Sequence, residues 1–296
     1  MIIVRLIGGL GNQMFQYAAG RRLAHTLKTD LKLDLSGYQT QNRLTPRRYN
    51  LHVFNIMEKI AAQEEIAALI GSRFTSVILF TIEKFIKLKL APRTYINRIS
   101  ETSFDPTILT LPDGVYWEGH WQSEKYFIDI VEIIREEFTF KNPPVDKNKE
   151  LSKLISSLES VSLHVRRTDY VTNLKAHEMH GSCDTGYYQR CVNELIEKVK
   201  NPYFFIFSDD PGWASENLKL QYPMTIVNHN QEDQCHEDLR LMSQCKHHII
   251  ANSSFSWWAA WLNPRADKIV FAPGRWYIKP VYNNIEDILP ATWLKR

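Results

Sequence analysis

The chain opens with a nearly continuous run of apolar, mostly β-branched residues at positions 2–7. This pattern is typical of a strand that is buried on both faces of a parallel sheet. Glycines at positions 8, 9 and 11 interrupt the run, and apolar residues then recur at helical spacing over 14–27. Positions 31–35 return to a strand pattern. We therefore predict a strand, a glycine turn, a helix and a second strand.

Short apolar segments alternate with helical patterns throughout the second half of the chain. We predict strands at 161–165, 203–207, 225–228, 248–251 and 268–271, separated by helices at 187–200, 213–218, 237–245 and 255–262. This alternation predicts a doubly wound parallel sheet, which binds its ligands at the carboxyl ends of its strands.

The middle of the chain gives weaker signals. Helical patches at 61–69 and 77–90, a strand at 115–121 and a helix at 126–138 are predicted from the spacing of apolar residues. Positions 141–149 are polar and contain Pro143 and Pro144, which is the composition of a connector between domains. We predict two α/β domains, residues 1–142 and residues 143–296.

Composition and charge narrow the class of protein. The 296 residues are 44% hydrophobic and carry a net charge of +3, which is too small and dispersed to bind the phosphate backbone of a nucleic acid. The apolar stretch at 74–82 falls short of the roughly 20 residues that cross a bilayer, and positions 1–10 lack a signal-peptide pattern. We expect a cytoplasmic protein with four free cysteines. Basic residues within 84–93 fit either peripheral contact with an anionic membrane surface or, as the favoured alternative, a solvated helix face.

Polar residues with candidate chemistry follow the first predicted strand. Glycines and a helix start at 8–13 allow close approach of a ligand and present backbone N–H groups to an anion. Gly9, Gly11 and Asn12 are the candidate binding residues. The third glycine of a dinucleotide-binding turn is missing, although Asp30 and Asp34 lie near the offset of a ribose ligand. A simple tight turn and a dinucleotide enzyme stay open as alternatives.

A second cluster, His164-Val165-Arg166-Arg167-Thr168-Asp169, lies at the carboxyl end of the strand at 161–165. Paired guanidinium groups in such a place suit a pyrophosphate. Strand alternation would send Arg166 and Arg167 to opposite sides, so at least one would enter a cleft between the domains. The alternative is an internal ion pair between an arginine and Asp169.

Two more clusters follow strands of the same predicted sheet. Asp209 and Asp210 come after the strand at 203–207, where either could orient a sugar hydroxyl, act as a base or cap the next helix. A polar turn after the strand at 248–251 begins an aromatic helix, a favourable place for phosphate. The residues of this turn are Asn252, Ser253, Ser254 and Phe255.

Together these motifs resemble the bacterial α-1,2-fucosyltransferase family. The family's opening G-G-L-G-N-Q-M-F-Q-Y-A is unbroken at 8–18, its H-x-R-R-x-D-Y stands at 164–170 and its N-S-S-x-S-W-W at 252–258. The resemblance implies a GT-B-like fold, with two Rossmann-like domains that face a cleft. It also implies that the first domain holds the acceptor and the second binds GDP-fucose.

The resemblance further implies roles for single residues. Related α-1,6-fucosyltransferases share the two arginines, the aspartate pair, and an acidic residue sixteen positions before a serine, a spacing that Asp238 and Ser254 keep. Arg166 would grip the β-phosphate with Ser254 and the amide of Phe255, and His164 and Asp238 would hold the guanine and the ribose.

The implied reaction inverts the anomeric carbon and places L-fucose on the 2-hydroxyl of a galactose-terminated oligosaccharide or glycolipid. Asn12 would face the reacting sugar, and Asp169, Asp209 and Asp210 are candidates for the base. A fixed arginine can neutralise the departing diphosphate, and no set of residues has convincing metal-ligand spacing. We therefore predict no cofactor and no divalent metal.

Two other functions stay open. Thr168 matches the α-1,6-fucosyltransferases, whereas many bacterial relatives carry glycine there, which favours transfer to a different hydroxyl. A nucleotide- or glycan-binding module without catalysis is the second alternative.

Overall fold

A computed structural model describes residues 1–38, 47–70, 94–99, 102–167, 174–279, 282 and 284–296. The chain divides into two compact units, Met1–Phe138 and Thr139–Arg296. The boundary predicted after residue 142 lies a few residues beyond this division.

The first unit contains a parallel sheet and three α-helices among the described residues. The strands are β1 (Ile2–Arg5), β2 (Leu31–Asp34), β3 (Tyr95–Arg98) and β4 (Val115–Gly119), in the spatial order β2-β1-β4-β3. The helices are α1 (Leu10–Leu27), α2 (Gln63–Ile70) and α3 (Val131–Glu137). The chain leaves β1 toward β2 and later returns to its other side, so the topological switch point lies between β1 and β4.

Helix α1 packs closely on the sheet because Gly20 faces it. A Cβ at this position would lie 2.4 Å from Cγ2 of Val4 and 3.0 Å from Cδ1 of Leu31. The apolar positions that predict the helix, among them Phe15 and Leu23, are buried. The close approach of the helix therefore depends on a position without a side chain.

The second unit contains a six-stranded parallel sheet. Its strands are β5 (Glu159–Val165), β6 (Pro202–Ser208), β7 (Met224–Val227), β8 (His247–Ile249), β9 (Val270–Ala272) and β10 (Leu294–Lys295), in the order β10-β9-β8-β5-β6-β7. Its helices are α4 (Asp146–Ser157), α5 (Leu174–His180), α6 (Thr185–Lys198), α7 (Pro211–Asn217), α8 (Cys235–Gln244), α9 (Ser254–Leu262) and α10 (Ile285–Ile288). The chain runs from β5 outward through β7 and then crosses to β8, so the switch point lies between β5 and β8.

The alternation predicted for the second half is confirmed, with strand and helix ends that differ by a few residues. Two predictions are wrong. Helix α1 begins at Leu10 and not at 14, because Gly9 ends the turn and Gly11 fits within the first helical turn. The predicted connector contains the start of α4, because the helix begins at Asp146, directly after the polar proline segment. The helical patch at 77–90 lies outside the described residues.

Candidate functional site

Three of the predicted clusters meet at the switch point of the second unit. Strands β5, β6 and β8 are neighbours and parallel, so their carboxyl ends share one edge. The ring centroids of His164 and Phe255 lie 5.9 Å apart, which joins the clusters after β5 and β8. Nη1 of Arg166 lies 3.1 Å from Oδ2 of Asp209, which adds the cluster after β6.

Both arginines contact the aspartate pair. Besides the pair of Arg166 with Asp209, the guanidinium of Arg167 lies 3.6 Å from Oδ2 of Asp210 and 4.0 Å above the ring of Trp213. The predicted alternation of the two arginines is wrong, because β5 ends at residue 165 and both side chains reach toward the loop after β6. The guanidinium of Arg167 thus contacts two residues that follow β6, Asp210 and Trp213.

The two aspartates serve the loop as well as the arginines. Asp210 caps α7 by accepting the N–H of Trp213 at 3.1 Å, which confirms the capping alternative for this residue. Oδ1 of Asp209 accepts the backbone N–H of Arg167 at 2.8 Å. A base role for either stays a prediction, as does that of Asp169, which lies outside the described residues.

His164 is neutral near pH 7. Burial lowers its pKa to about 4, against the opposing effect of Asp209 and with a smaller contribution from Arg166. Its Nδ1 is buried and has no hydrogen-bond partner among the described residues. A buried ring nitrogen without a hydrogen-bond partner lowers the stability of a folded protein. This atom is therefore a candidate for a hydrogen bond to a ligand.

The turn between β8 and α9 is held by its own side chains. Oγ of Ser253 caps α9 and accepts the N–H of Phe255 at 3.3 Å. Asn252 is buried, and its amide donates to three backbone carbonyls, those of His180, Gly181 and Trp276. These two side chains therefore shape the turn, and their predicted contact with a donor stays a prediction. Ser254 occupies the first position of the helix.

Asp238 lies half-buried on α8, the helix that packs against α9. Burial raises its pKa to about 6, although Oδ1 accepts a hydrogen bond of 2.7 Å from Nδ2 of Asn230, which lowers the pKa. The carboxyl group is thus charged at neutral pH and titrates within the physiological range.

The switch point of the first unit carries Gly9 and Asn12. Oδ1 of Asn12 accepts a 2.9 Å hydrogen bond from Nε2 of Gln122, which links the first turn of α1 to the loop after β4. Gly8 has a φ of +79°, and a Cβ there would lie 2.7 Å from Nδ2 of Asn12. Gly9 differs, because its φ is −78° and, among the described residues, the atoms nearest to an added Cβ are those of the Arg47 side chain at 4.0 Å. Among the described residues neither backbone strain nor packing requires a glycine at position 9, and close approach of a ligand to Gly9 stays a prediction.

Other polar residues of the segment 8–18 bind neighbouring backbone. Gln13 donates to the carbonyls of Gly8 and Arg48 and accepts the N–H of Asn50. Gln16 accepts the N–H of Ile7 and donates to the carbonyl of Gly119. The hydroxyl of Tyr17 donates to Glu137 and accepts the N–H of Met57. Much of this motif therefore builds the fold, and Gln16 itself bridges the ends of β1 and β4 beside the bond between Asn12 and Gln122.

The carboxylate of Asp34 is hydrogen-bonded to other residues of the first unit. It accepts hydrogen bonds from the backbone and hydroxyl of Ser36 at 2.8 and 2.9 Å and from the hydroxyl of Tyr116 at 2.7 Å. Asp34 is one of two candidate ribose ligands of the dinucleotide alternative, and the other, Asp30, pairs with Nζ of Lys59 at 2.6 Å.

Two residues after β4 are missing from the sequence-based site. Gln122 bonds to Asn12, and His120 has a buried Nδ1 without a partner in the described ranges and a pKa that burial lowers. The signal that could have identified them is the one used elsewhere: polar residues directly after an apolar strand.

Within the described ranges, no group of three or more His, Cys, Asp or Glu side chains is arranged to hold a metal ion. No helix of that part of the chain is long and apolar enough to cross a membrane. The basic segment at 84–93 lies outside the described residues.

Three known proteins with similar amino-acid sequences are glycosyltransferases. An α-1,2-colitosyltransferase of Escherichia coli is 36% identical over 100% of this chain and 98% of its own length. The O-antigen biosynthesis glycosyltransferase WbnK of Escherichia coli is 31% identical over 98% of each chain. The galactoside α-(1,2)-fucosyltransferase 1 of Rattus norvegicus is 26% identical over 58% of this chain and 53% of its own length.

Solved structures show the same fold at low sequence identity. A mutant of Arabidopsis thaliana FUT1 in complex with GDP has a TM-score of 0.52 at 11% identity, covering 91% of this chain and 69% of that one. Fucosyltransferase NodZ from Bradyrhizobium has a TM-score of 0.50 at 13% identity, covering 89% and 93%. The predicted GT-B-like α/β fold is confirmed. Residues 89–295 match the model of glycosyl transferase family 11, and with two relatives above 30% identity that span nearly its whole length, the chain belongs to that family.

Proposed function

We propose that this glycosyltransferase moves L-fucose from GDP-β-L-fucose to the 2-hydroxyl of a β-galactoside, with inversion and without a metal, in the synthesis of an O-antigen-type surface glycan. The observation that carries the proposal is the meeting of His164, Arg166 and the β8–α9 turn at one switch point. The relatives that act in O-antigen synthesis or on galactosides support the acceptor class.

The donor end of the reaction is assigned to the second unit. As the bond from the anomeric carbon to the β-phosphate breaks, negative charge grows on the diphosphate, and the guanidinium of Arg166 is positioned to stabilise it. In the structure this guanidinium pairs with Asp209, which keeps a cation oriented at the strand end. The neutral ring of His164 binds the nucleoside through a hydrogen bond and adds no charge beside Arg166.

The acceptor end is assigned to the loops after β1 and β4. Asn12, fixed by Gln122, would place the galactose 2-hydroxyl, and the open space at Gly9 would admit the sugar. The acceptor oxygen bonds to the anomeric carbon and gives up its proton to a base, for which Asp169, Asp209 and Asp210 are the candidates, and the electron pair of the broken bond leaves with GDP. Lactose should therefore be a substrate, whereas its 2-deoxygalactose analogue should bind without turnover.

A second donor is favoured by one comparison. Colitose is L-fucose without its 3-hydroxyl, and the colitosyltransferase relative is 36% identical over this whole chain. Both sugars demand the same diphosphate chemistry, so the site described above does not distinguish them. We propose fucose as the first candidate donor sugar because of the similarity to galactoside α-(1,2)-fucosyltransferases, and we keep colitose as the second candidate.

The test is to incubate the purified protein with lactose and either GDP-fucose or GDP-colitose, and to assign each product by NMR. A fucosyl product linked to the galactose 2-hydroxyl is expected. Faster transfer from GDP-colitose would make colitose, and not fucose, the proposed donor sugar. A product at another hydroxyl would support the α-1,6-type alternative, and no turnover with either donor would support the inactive binding module. Activity should survive dialysis against EDTA, and a strict requirement for added manganese would overturn the metal-free proposal.

A further inference from the structure

The side chains of Asn148, His229, Asn230 and Asp238 form one hydrogen-bonded network. Nδ2 of Asn230 donates to Oδ1 of Asp238 at 2.7 Å and to Oδ1 of Asn148 at 3.0 Å. Nδ2 of Asn148 donates back to Oδ1 of Asn230 at 2.8 Å, and Nε2 of His229 lies 2.8 Å from Oδ1 of Asn148. The loop after β7 is thereby joined to the first turn of α4 and to α8.

The network permits one arrangement of its groups. Asn230 uses both amide hydrogens and its carbonyl oxygen, so turning the amide over would set donor against donor at Asn148 and acceptor against acceptor at Asp238. Since Oδ1 of Asn148 can only accept, Nε2 of His229 carries the proton. The rotamer of Asp238 is therefore fixed from a second helix and not by its own helix alone.

The charge of Asp238 depends on the same bond. Burial opposes ionisation, and the N–H of Asn230 favours it. Glu237 raises the pKa and His236 lowers it from the same helix, while Lys147 on α4 faces His229. Glu232 and Asp233 lie in the adjoining 3-10 turn (Glu232–Gln234), and α9 carries no charged side chain.

We propose that Asn148 and Asn230 are positioning residues of the nucleotide site, which hold the carboxylate of Asp238 toward the donor edge of guanine. This inference rests on the proposed function, because it requires a GDP-linked donor. A carboxylate accepts two parallel hydrogen bonds from N1–H and the 2-amino group of guanine. Adenine and uracil offer no such pair of adjacent donors. The amide pair thus contributes to base selection without touching the base.

The test compares Asn230→Leu, which keeps the number of side-chain heavy atoms and the branch at Cγ but removes the amide, with Asn193→Leu on the exposed face of α6. Calorimetry would measure the affinities for GDP, IDP and ADP between pH 5.5 and 8.5. IDP lacks the 2-amino group. We expect the wild type to prefer GDP, and Asn230→Leu to lose about tenfold of its GDP affinity at pH 7 while ADP binding is unchanged.

The pH profile separates positioning from a general loss of structure. GDP affinity needs the charged carboxylate, so it falls as the pH drops through the pKa of Asp238, and without the Asn230 amide this fall should begin at a higher pH. The Asp238→Asn variant has no carboxylate at this position, so its pH profile of GDP affinity shows the contribution of the GDP phosphate and serves as the baseline. Adding Asn230→Leu to that variant should have no further effect.

Asn148→Ala, which leaves Asn230 in place, should shift the profile in the same direction by a smaller amount. A guanine preference and a pH midpoint that survive Asn230→Leu would overturn the positioning role and leave the proposed function intact. Equal affinity of the wild type for GDP and ADP would instead overturn the proposed donor, and this inference with it.

Discussion

The same substitution at two glycines of one helix should separate stability from activity. Gly9 and Gly20 stand at the N-cap and in the interior of α1. A Cβ at Gly20 would lie 2.4 Å from Cγ2 of Val4, whereas one at Gly9 would have the side chain of Arg47, at 4.0 Å, as its nearest neighbour in the part of the chain that the structure describes. We therefore compare Gly20→Ser with Gly9→Ser.

The structure sets opposite expectations for the two variants. Overpacking costs roughly 1–3 kcal/mol, and the better helix propensity of serine returns only about 0.5 kcal/mol. Gly20→Ser should thus lower the free energy of unfolding by about 1–2 kcal/mol and the Tm by about 3–8 °C. Serine is favoured at an N-cap with extended backbone, so Gly9→Ser should stay within about 0.5 kcal/mol of the wild type.

Activity should follow the reverse order. In Gly9→Ser the added hydroxymethyl group would enter the space left for a ligand, so transfer by this variant should fall at least about tenfold, whereas folded Gly20→Ser should keep its turnover. Thermal unfolding and steady-state transfer from GDP-fucose, each normalised to folded protein, give both values. Full activity of Gly9→Ser would show that no ligand approaches this helix start, and a Gly9→Ser protein as unstable as Gly20→Ser would refute the packing argument.

Three further predictions concern the second unit. Arg166→Ala should lower kcat by about 10²-fold or more while GDP affinity measured by calorimetry weakens far less, because charge grows on the diphosphate in the transition state; a loss of affinity with unchanged kcat would contradict this. Asn252→Ala should lower the free energy of unfolding in urea by about 1–3 kcal/mol, since three carbonyls lose a buried donor, and an unchanged midpoint would mean that the turn is held otherwise. Asp210→Ala should cost about 1 kcal/mol through the lost cap of α7, whereas Asp210→Asn should keep the cap and most of the stability; equal losses would assign the effect to the ion pair with Arg167.

The sequence predicts much of the second unit because its strands are apolar throughout and its polar turns follow them directly. His164 and Phe255 are ninety-one positions apart, yet the rule that parallel strands end at one edge brings them together, and their rings lie 5.9 Å apart. The sequence pattern fails where it does not mark the residue at which a strand ends. Alternation past residue 165 assigned Arg166 and Arg167 to opposite sides, although the strand had already ended.

The partners of the candidate residues are harder to read from a sequence. The contact of Asn230 with Asn148 joins positions that no periodicity relates, and the start of α4 lies in a polar segment whose prolines suggest a connector. Gln122 follows an apolar strand, as other site residues do, but its bond to Asn12 joins the loop after β4 to the first turn of α1. Such contacts depend on tertiary packing, which the local pattern does not encode.

The way in which the segment 8–18 is bound has a consequence for engineering new acceptor specificity. Its glutamines and tyrosine hold backbone at positions 7, 48, 50, 57 and 119 and the carboxylate of Glu137. A graft that moved this segment alone into a relative with other contacts would leave buried amides without partners, each at a cost of roughly 1–3 kcal/mol. The transferable module is therefore discontinuous, and a chimera should carry the segment with those partners or change Asn12 and Gln122 in place.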